Sequence, residues 1–296
     1  MKGKHRAGIC MLMAILFVAA GHAVPGWAAR SDDERACHGV LLRVDDFARA
    51  QNPDTMRPEE SAARAKELIQ QMIRALGGEA YLNVRDITRT GRLAMFDSKG
   101  ELSGYTRFWD FVKLPDKNRT EYGKKRNVID VYSGDHAWTL DRGGVQEISV
   151  DRIERFKEGN KKDLDILLRF RLNEEGLIFR YGGSDLVDMK PVDWVEIVDR
   201  ERITTRVALS RADRLPLRAV YITRNPATRS RTEEVEIFAA YHTFQGVKTP
   251  KQITRTREGR VIFQVFFEEV QYNTGLDDSF FSKAALEQAW VKLGKK

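Results

Sequence analysis

The stretch ITTRVALS, residues 203–210, alternates with a period of two: Ile203, Thr205, Val207 and Leu209 fall on one side, Thr204, Arg206 and Ser210 on the other. That period belongs to a strand with one face on a core. Val235, Ile237, Ala239 and Tyr241 repeat it. Working outward, β-rich segments are predicted over 84–96, 102–114, 118–122, 128–133 and 137–140, and again over 177–188, 192–198, 217–224, 233–244, 251–257 and 260–272. Turn residues separate them at short intervals, as at Asp97-Ser98-Lys99-Gly100, Pro115-Asp116, Gly134-Asp135 and Gly143-Gly144. Connections this short join antiparallel hairpins, since parallel strands need long crossovers. The predicted fold is mainly β (α+β), a curved antiparallel unclosed barrel of about 10–12 strands with helices on its concave face.

In the last strand, RVIFQVFFEEVQY, Phe263, Val265 and Phe267 oppose Ile262, Phe266 and Val270, so both faces read as apolar and the second needs a cover. Two helical segments are available for the concave face. Over 58–76, Pro58, Glu59 and Glu60 suit a helix start, Ala65, Leu68, Ile69, Met72, Ile73 and Leu76 share one face, and Gly77-Gly78 ends it. Over 149–172, Ser149 is an N-cap candidate and Gly159-Asn160 divides the segment into two short helices. The second half carries Leu164, Ile166, Leu167, Leu168, Phe170 and Leu172 almost all round, with Asp165, Arg169 and Arg171 between. Such a helix is either simply buried or a movable cover over a cavity. Phe280-Phe281 and a helix over 282–293 close the chain's pattern.

Residues 1–28 read as a signal peptide: basic Lys2, Lys4 and Arg6, an apolar run over 7–20, then small Gly26 and Ala28. A spanning helix needs roughly 20 apolar residues, more than this run supplies. Export with cleavage near Ala28 leaves an N-terminal helical arm over 29–57, where Ser31 and Glu34 form a capping-box pattern, and a single half-barrel domain over 58–296. Cleavage also removes Cys10, so Cys37 stands alone and no internal disulfide can form. The leader takes three of the 50 basic residues; 47 remain against 43 acids, an excess of four. That excess is too weak to indicate nucleic acid, which export also disfavours, and it suits work near anionic membranes.

The catalytic signatures are missing. His38, His136 and His242 stand in no ligand spacing, and no nucleophile elbow, phosphate loop or dinucleotide glycine pattern occurs. Gly182-Gly183-Ser184-Asp185 reads as a bulge or bend. Neighbouring acids such as Asp163/Asp165 and Glu174/Glu175 arise by chance among 43. No catalytic, metal or cofactor residue is assigned. Lys124-Lys125-Arg126, Lys161-Lys162 and Arg229-Ser230-Arg231 are solvated loop charges or contacts to lipid headgroups.

The order of short motifs carries a resemblance. It runs Ala75-Leu76-Gly77-Gly78; Thr90-Gly91; Leu114-Pro115-Asp116-Lys117; Gly134 four before Trp138; Asp213-Arg214-Leu215-Pro216-Leu217-Arg218; Tyr241 with Gly246-Val247 and Pro250; and Asn273 before Asp277-Asp278 and Phe280-Phe281. Over residues 58–281 the chain resembles the LolA/LolB-like periplasmic lipoprotein-sorting carriers and their exported relatives. The resemblance implies an unclosed barrel plugged by helices, a cavity for the acyl chains of a lipid or lipoprotein, no cofactor and no catalysis. It implies a membrane exporter or outer-membrane acceptor as further partner, and a gating arginine to which no arginine here is matched. The runner-up is a non-enzymatic envelope scaffold or exporter accessory protein. The cavity candidates are Leu164, Leu167, Leu168 and Phe170 of the helix with Trp109, Trp138, Trp194 and Phe266 of the strands.

Overall fold

The structure, a computed structural model, describes residues 53–224 and 229–294. The expected signal peptide and most of the expected N-terminal arm lie outside the described residues, as does the Cys37-His38 pair. Of the arm, a 3-10 turn at Pro53–Thr55 is described.

One sheet of thirteen strands organises the described residues. They are β1 (Asp86–Phe96), β2 (Leu102–Lys113), β3 (Lys117–Tyr122), β4 (Val128–Ser133), β5 (His136–Asp141), β6 (Gly144–Glu147), β7 (Ile178–Val187), β8 (Lys190–Val198), β9 (Thr204–Ser210), β10 (Pro216–Arg224), β11 (Arg231–Phe244), β12 (Val247–Arg257) and β13 (Arg260–Tyr272). The spatial order is β6-β5-β4-β3-β2-β1-β13-β12-β11-β10-β9-β8-β7, every pair antiparallel, with β6 and β7 as edges, so the sheet does not close. The strand beyond the expected dozen is β6, a four-residue edge behind the Arg142-Gly143 turn. Its shortness left no alternation to read.

Among the described residues five α-helices accompany the sheet: α1 (Pro58–Leu76), α2 (Glu79–Leu82), α3 (Val150–Lys161), α4 (Leu164–Ile166) and α5 (Lys283–Gly294). The predicted apolar face of α1, from Ala65 through Leu76, is buried in the main core with Tyr181, Val195, Ile197, Val207, Ala219, Tyr221, Phe267 and Val270. Because side chains alternate, those strand residues define the concave face. Gly77, at φ 132, ends α1 where a Cβ would lie 2.5 Å from the Gly246 carbonyl oxygen, so the helix and the β11–β12 turn meet there only because the residue has no side chain. The helix α3 also lies on the concave side, stacking Phe156 on Tyr132 at 4.2 Å. The break after it falls at Lys162-Asp163, not at the expected Gly159-Asn160, which α3 absorbs. Asp163 supplies the reason: its side chain accepts a hydrogen bond from the Ile166 amide at 3.0 Å and caps α4.

The helix α5, the C-terminal helix expected over 282–293, lies on the opposite face from α1 and α3. With Phe280 and Phe281 it covers Ile129, Val131 and Leu140 on the convex face. The last strand is also corrected. A bulge at Glu268, opposite Thr90/Gly91, shifts the alternation so that Val270 joins Phe263, Val265 and Phe267 on the concave side. The convex side of β13 keeps Ile262 and the exposed Phe266, and needs no cover. No helix among the described residues is long and apolar enough to cross a membrane.

Candidate functional site

Between the concave face and the segment after α3 lies a cavity of about 270 Å³. Its sheet wall comes from Phe238 on β11, Ile253 on β12 and Phe263, Val265 and Phe267 on β13; Leu76, Tyr81 and Leu164 close it from the helical side. Charged groups also reach it: Arg89, Arg169 and Arg255, with Asp163, Asp165 and Glu236. A second cavity of about 220 Å³ lies across the same segment, lined by Ile87, Val112, Leu114, Phe156 and Ile166 among others. Arg89, Asp163 and Asp165 border both. The turn from Asp163 to Ile166 thus stands as a partition.

That partition is α4 and the π turn that follows it, Leu167–Arg171. The odd turn width places Leu164, Leu167 and Leu168 inward, in the same core as α1, while Phe170 is 41% exposed. Arg169 is 1% exposed at its side chain, with its guanidinium 3.9 Å from the centre of the Tyr81 ring and Nη1 donating to the Tyr81 carbonyl oxygen. The Tyr81 hydroxyl donates to Asp165 at 2.6 Å. Outside this buried centre the segment is tied at its ends by ion pairs, Lys161 to Glu201 at 2.7 Å and Arg171 to Asp199 at 3.2 Å. The Lys161–Glu201 pair is exposed and adds little holding strength, whereas Arg171 and Asp199 are largely buried.

The sheet wall carries its own network. Arg255 donates to Glu236, which also accepts from the Tyr221 hydroxyl at 3.0 Å. Arg89 donates to Asp110 at 2.7 Å, and Asn118 and Thr120 donate to the other oxygen of that carboxylate at 2.8 Å each. Burial pushes the Asp163 carboxyl up to about 6, and the neighbouring Asp165 and Glu236 charges push the same way. Asp163 therefore holds its proton more tightly folded than unfolded, where a carboxyl titrates near ~3.9. Its contribution to stability is complete below that value and is lost as the pH rises through about 6. Asp163→Asn keeps an oxygen for the Ile166 cap but cannot ionise. The variant is expected to gain melting temperature over the parent at pH 7 and to lose that advantage at pH 4. Equal differences at both pH values would refute this account.

Of the strand aromatics expected at the cavity, none lines it. Register explains each. Phe108 and Asp110 point inward, so Trp109 faces out, under the guanidinium groups of Arg107 and Arg126 at 5.1 and 5.0 Å. Trp138 packs with the α5 cluster. Trp194 sits with Val192, Ala208 and Val220 on the convex side, and Phe266 alternates with cavity-lining Val265 and Phe267. The sequence reading missed Phe238, Ile253, Phe263, Val265 and Phe267, although the alternation of β11 to β13 was visible. What it lacked was which of the two faces is concave. No group of three or more His, Cys, Asp or Glu among the described residues is placed to hold a metal ion.

No family model matches the sequence, and no curated protein matches it. Solved structures do. A DUF1329 family protein from Desulfovibrio piger is 15% identical, with a TM-score of 0.54 over 75% of this chain and 98% of its own. A protein domain named for outer membrane lipoprotein sorting, from Vibrio parahaemolyticus, is 15% identical, with a TM-score of 0.50 over 78% and 100%. A LolA superfamily protein from Nitrosomonas europaea is 10% identical, with a TM-score of 0.49 over 75% and 99%. The first two show that this chain shares their fold.

Proposed function

We propose that this protein is an exported, non-enzymatic lipid carrier that holds acyl chains between the concave face of the sheet and residues 164–171, which act as a lid. The observation that carries this reading is the cavity under that segment, one wall of which is apolar: Leu164, Phe238, Ile253, Phe263, Val265 and Phe267. The second cavity on the far side supports it, because displacing the Asp163 to Ile166 turn would join the two spaces. A fold shared with a domain named for outer membrane lipoprotein sorting supports it further. Burying about 14 methylenes is worth ~11 kcal/mol at ~0.8 each, close to what a bilayer offers. A carrier must match that value without greatly exceeding it, and a wall that mixes apolar rings with fixed charges weakens the hold enough for release.

Protein purified from its native host is expected to carry lipid, visible by native mass spectrometry and solvent extraction. After delipidation it is expected to take up a fluorescent fatty acid or phospholipid at micromolar concentration. A delipidated, folded protein that takes up neither overturns the carrier reading.

A further inference from the structure

Buried polar groups in proteins are nearly always partnered, so the exceptions are informative. Among the described residues three buried side-chain nitrogen or oxygen atoms have no hydrogen-bond partner, and all three are guanidinium Nε atoms: Arg169, Arg218 and Arg255. Two of those three arginines line the cavity under residues 164–171. Arg218 lies elsewhere, on β10, with Asp188 at 3.5 Å.

Arg169 is the more deeply buried of the pair. Its acceptor is a neutral backbone carbonyl, and its nearest carboxylate oxygen, on Asp165, stands 3.8 Å from Nη2, beyond hydrogen-bond reach. Asp165 is engaged by the Tyr81 hydroxyl instead. Arg255 spends Nη2 on Glu236 and faces the Phe263 ring at 5.4 Å, leaving its Nε–H without an acceptor. Arg89, in the same wall, shows the contrast, with Nε seated on Asp110. Of the cavity's carboxylates, Glu236 accepts at both oxygens, from Tyr221 and Arg255, while Asp163 accepts from the Ile166 amide and Asp165 from the Tyr81 hydroxyl at one oxygen each. On the donor side, capacity is left over on two cations, Arg169 and Arg255. A guanidinium fork matches a planar or tetrahedral oxyanion, and a charge-assisted bond of that type is among the strongest available.

Resting on the carrier reading above, we infer that the cargo is an anionic amphiphile: its chain lies along Ile253, Val265 and Phe267, and its oxyanion head, carboxylate or phosphate, is received by Arg169 and Arg255. The leftover donors are then satisfied by the ligand.

The test compares three probes of equal chain length on the delipidated full chain by titration calorimetry: laurate, dodecyl phosphate and the neutral methyl laurate. The oxyanion probes are expected to bind about tenfold tighter than the ester, the value of one charge-assisted hydrogen bond in water. Preference between laurate and dodecyl phosphate identifies the head. In Arg169→Gln and in Arg255→Gln the ratio of oxyanion to ester affinity is expected to fall toward one. Arg255 lies on a strand, so its variant reports even if Arg169→Gln loosens the lid, and a melting curve verifies that each variant is folded. Equal binding of all three probes by the parent overturns the oxyanion site and leaves the chain-binding reading intact. Binding of none overturns both. Inorganic phosphate binding as tightly as dodecyl phosphate would also overturn the proposal, because the chain would then contribute nothing.

Discussion

The double substitution Leu167→Asp with Leu168→Asp is expected to release residues 164–171 from the sheet and abolish lipid retention, while the sheet itself stays folded. Both leucines are buried, at 4% and 2% exposure, in the core they share with α1. Keeping an unpaired carboxylate there would cost about 3–5 kcal/mol each. Against that stand the burial of Leu164 and Ile166, worth about 1.5–3 kcal/mol apiece, and the ion pairs at the segment's ends, of which the exposed Lys161–Glu201 pair is worth little. Opening is therefore cheaper than retention. It is also cheaper than global unfolding, because α1 keeps its own contacts to β7, β8 and β12 without the segment. Hydrogen exchange should show amides of 164–171 exposed and those of β9 to β13 protected. Phe170→Asp, on the exposed side of the same turn, is the control and is expected to change stability by less than about 0.5 kcal/mol. Cooperative loss of the whole sheet in the double variant would make the segment a core element and refute its role as a lid.

The same residues show how far the sequence carried. Strand period, turn chemistry and the length of connections are local properties, and they yielded the antiparallel class and twelve of the strands within a few residues. The end of α1 was legible because Gly77-Gly78 is a chemical requirement of the contact with Gly246. The motifs behind the family resemblance prove to be such local devices. Tyr241 donates to the Pro216 carbonyl at 2.7 Å, Arg214 to buried Asp193 at 2.7 Å, and Asp277 accepts from the Ser279 amide at 2.8 Å.

The site was less legible, because it depends on which side of each strand is concave, a property of long-range pairing. A single bulge at Glu268 reassigns Val270, and nothing in the string FFEEVQY marks it. The tryptophans were attractive for their size, yet three flat rings on the convex side serve guanidinium stacking and helix docking. The charged lining was hidden for another reason. Arg169 and Asp165 read as the polar interruptions of a greasy helix, and only the π turn brings Arg169 inward against Tyr81.

The second large effect is expected far from the cavity, at Asp86. This residue opens β1, is 5% exposed, and holds the chain leaving β13. One carboxylate oxygen accepts from the Thr274 amide at 2.7 Å and the Thr274 hydroxyl at 2.8 Å; the other accepts from the amides of Gly275 at 3.1 Å and Leu276 at 3.4 Å. Asn273 completes the clasp, donating its amide to the Asp86 carbonyl at 2.9 Å and accepting from the Arg85 amide at 2.7 Å through its side chain. Beyond the clasp the chain delivers Leu276, Phe280 and Phe281 to the convex face, and Lys113 and Lys117 hold Asp278 so firmly that its carboxyl drops to about 2. Asp86→Ala removes the shared acceptor and strands three backbone amides at once. The expected loss is about 3 kcal/mol in urea denaturation, since hydrogen bonds to a charged acceptor are worth ~1.5–3 kcal/mol and the four made by Asp86 are lost together. Proteolysis within 274–294 should accelerate in parallel, as the convex cluster loses its tether. Asp86→Asn keeps an oxygen for Thr274 and should recover part of the loss. A change under about 0.5 kcal/mol in Asp86→Ala, the size of an ordinary surface substitution, would show that packing of Phe280, Phe281 and Leu286 positions this segment without the clasp.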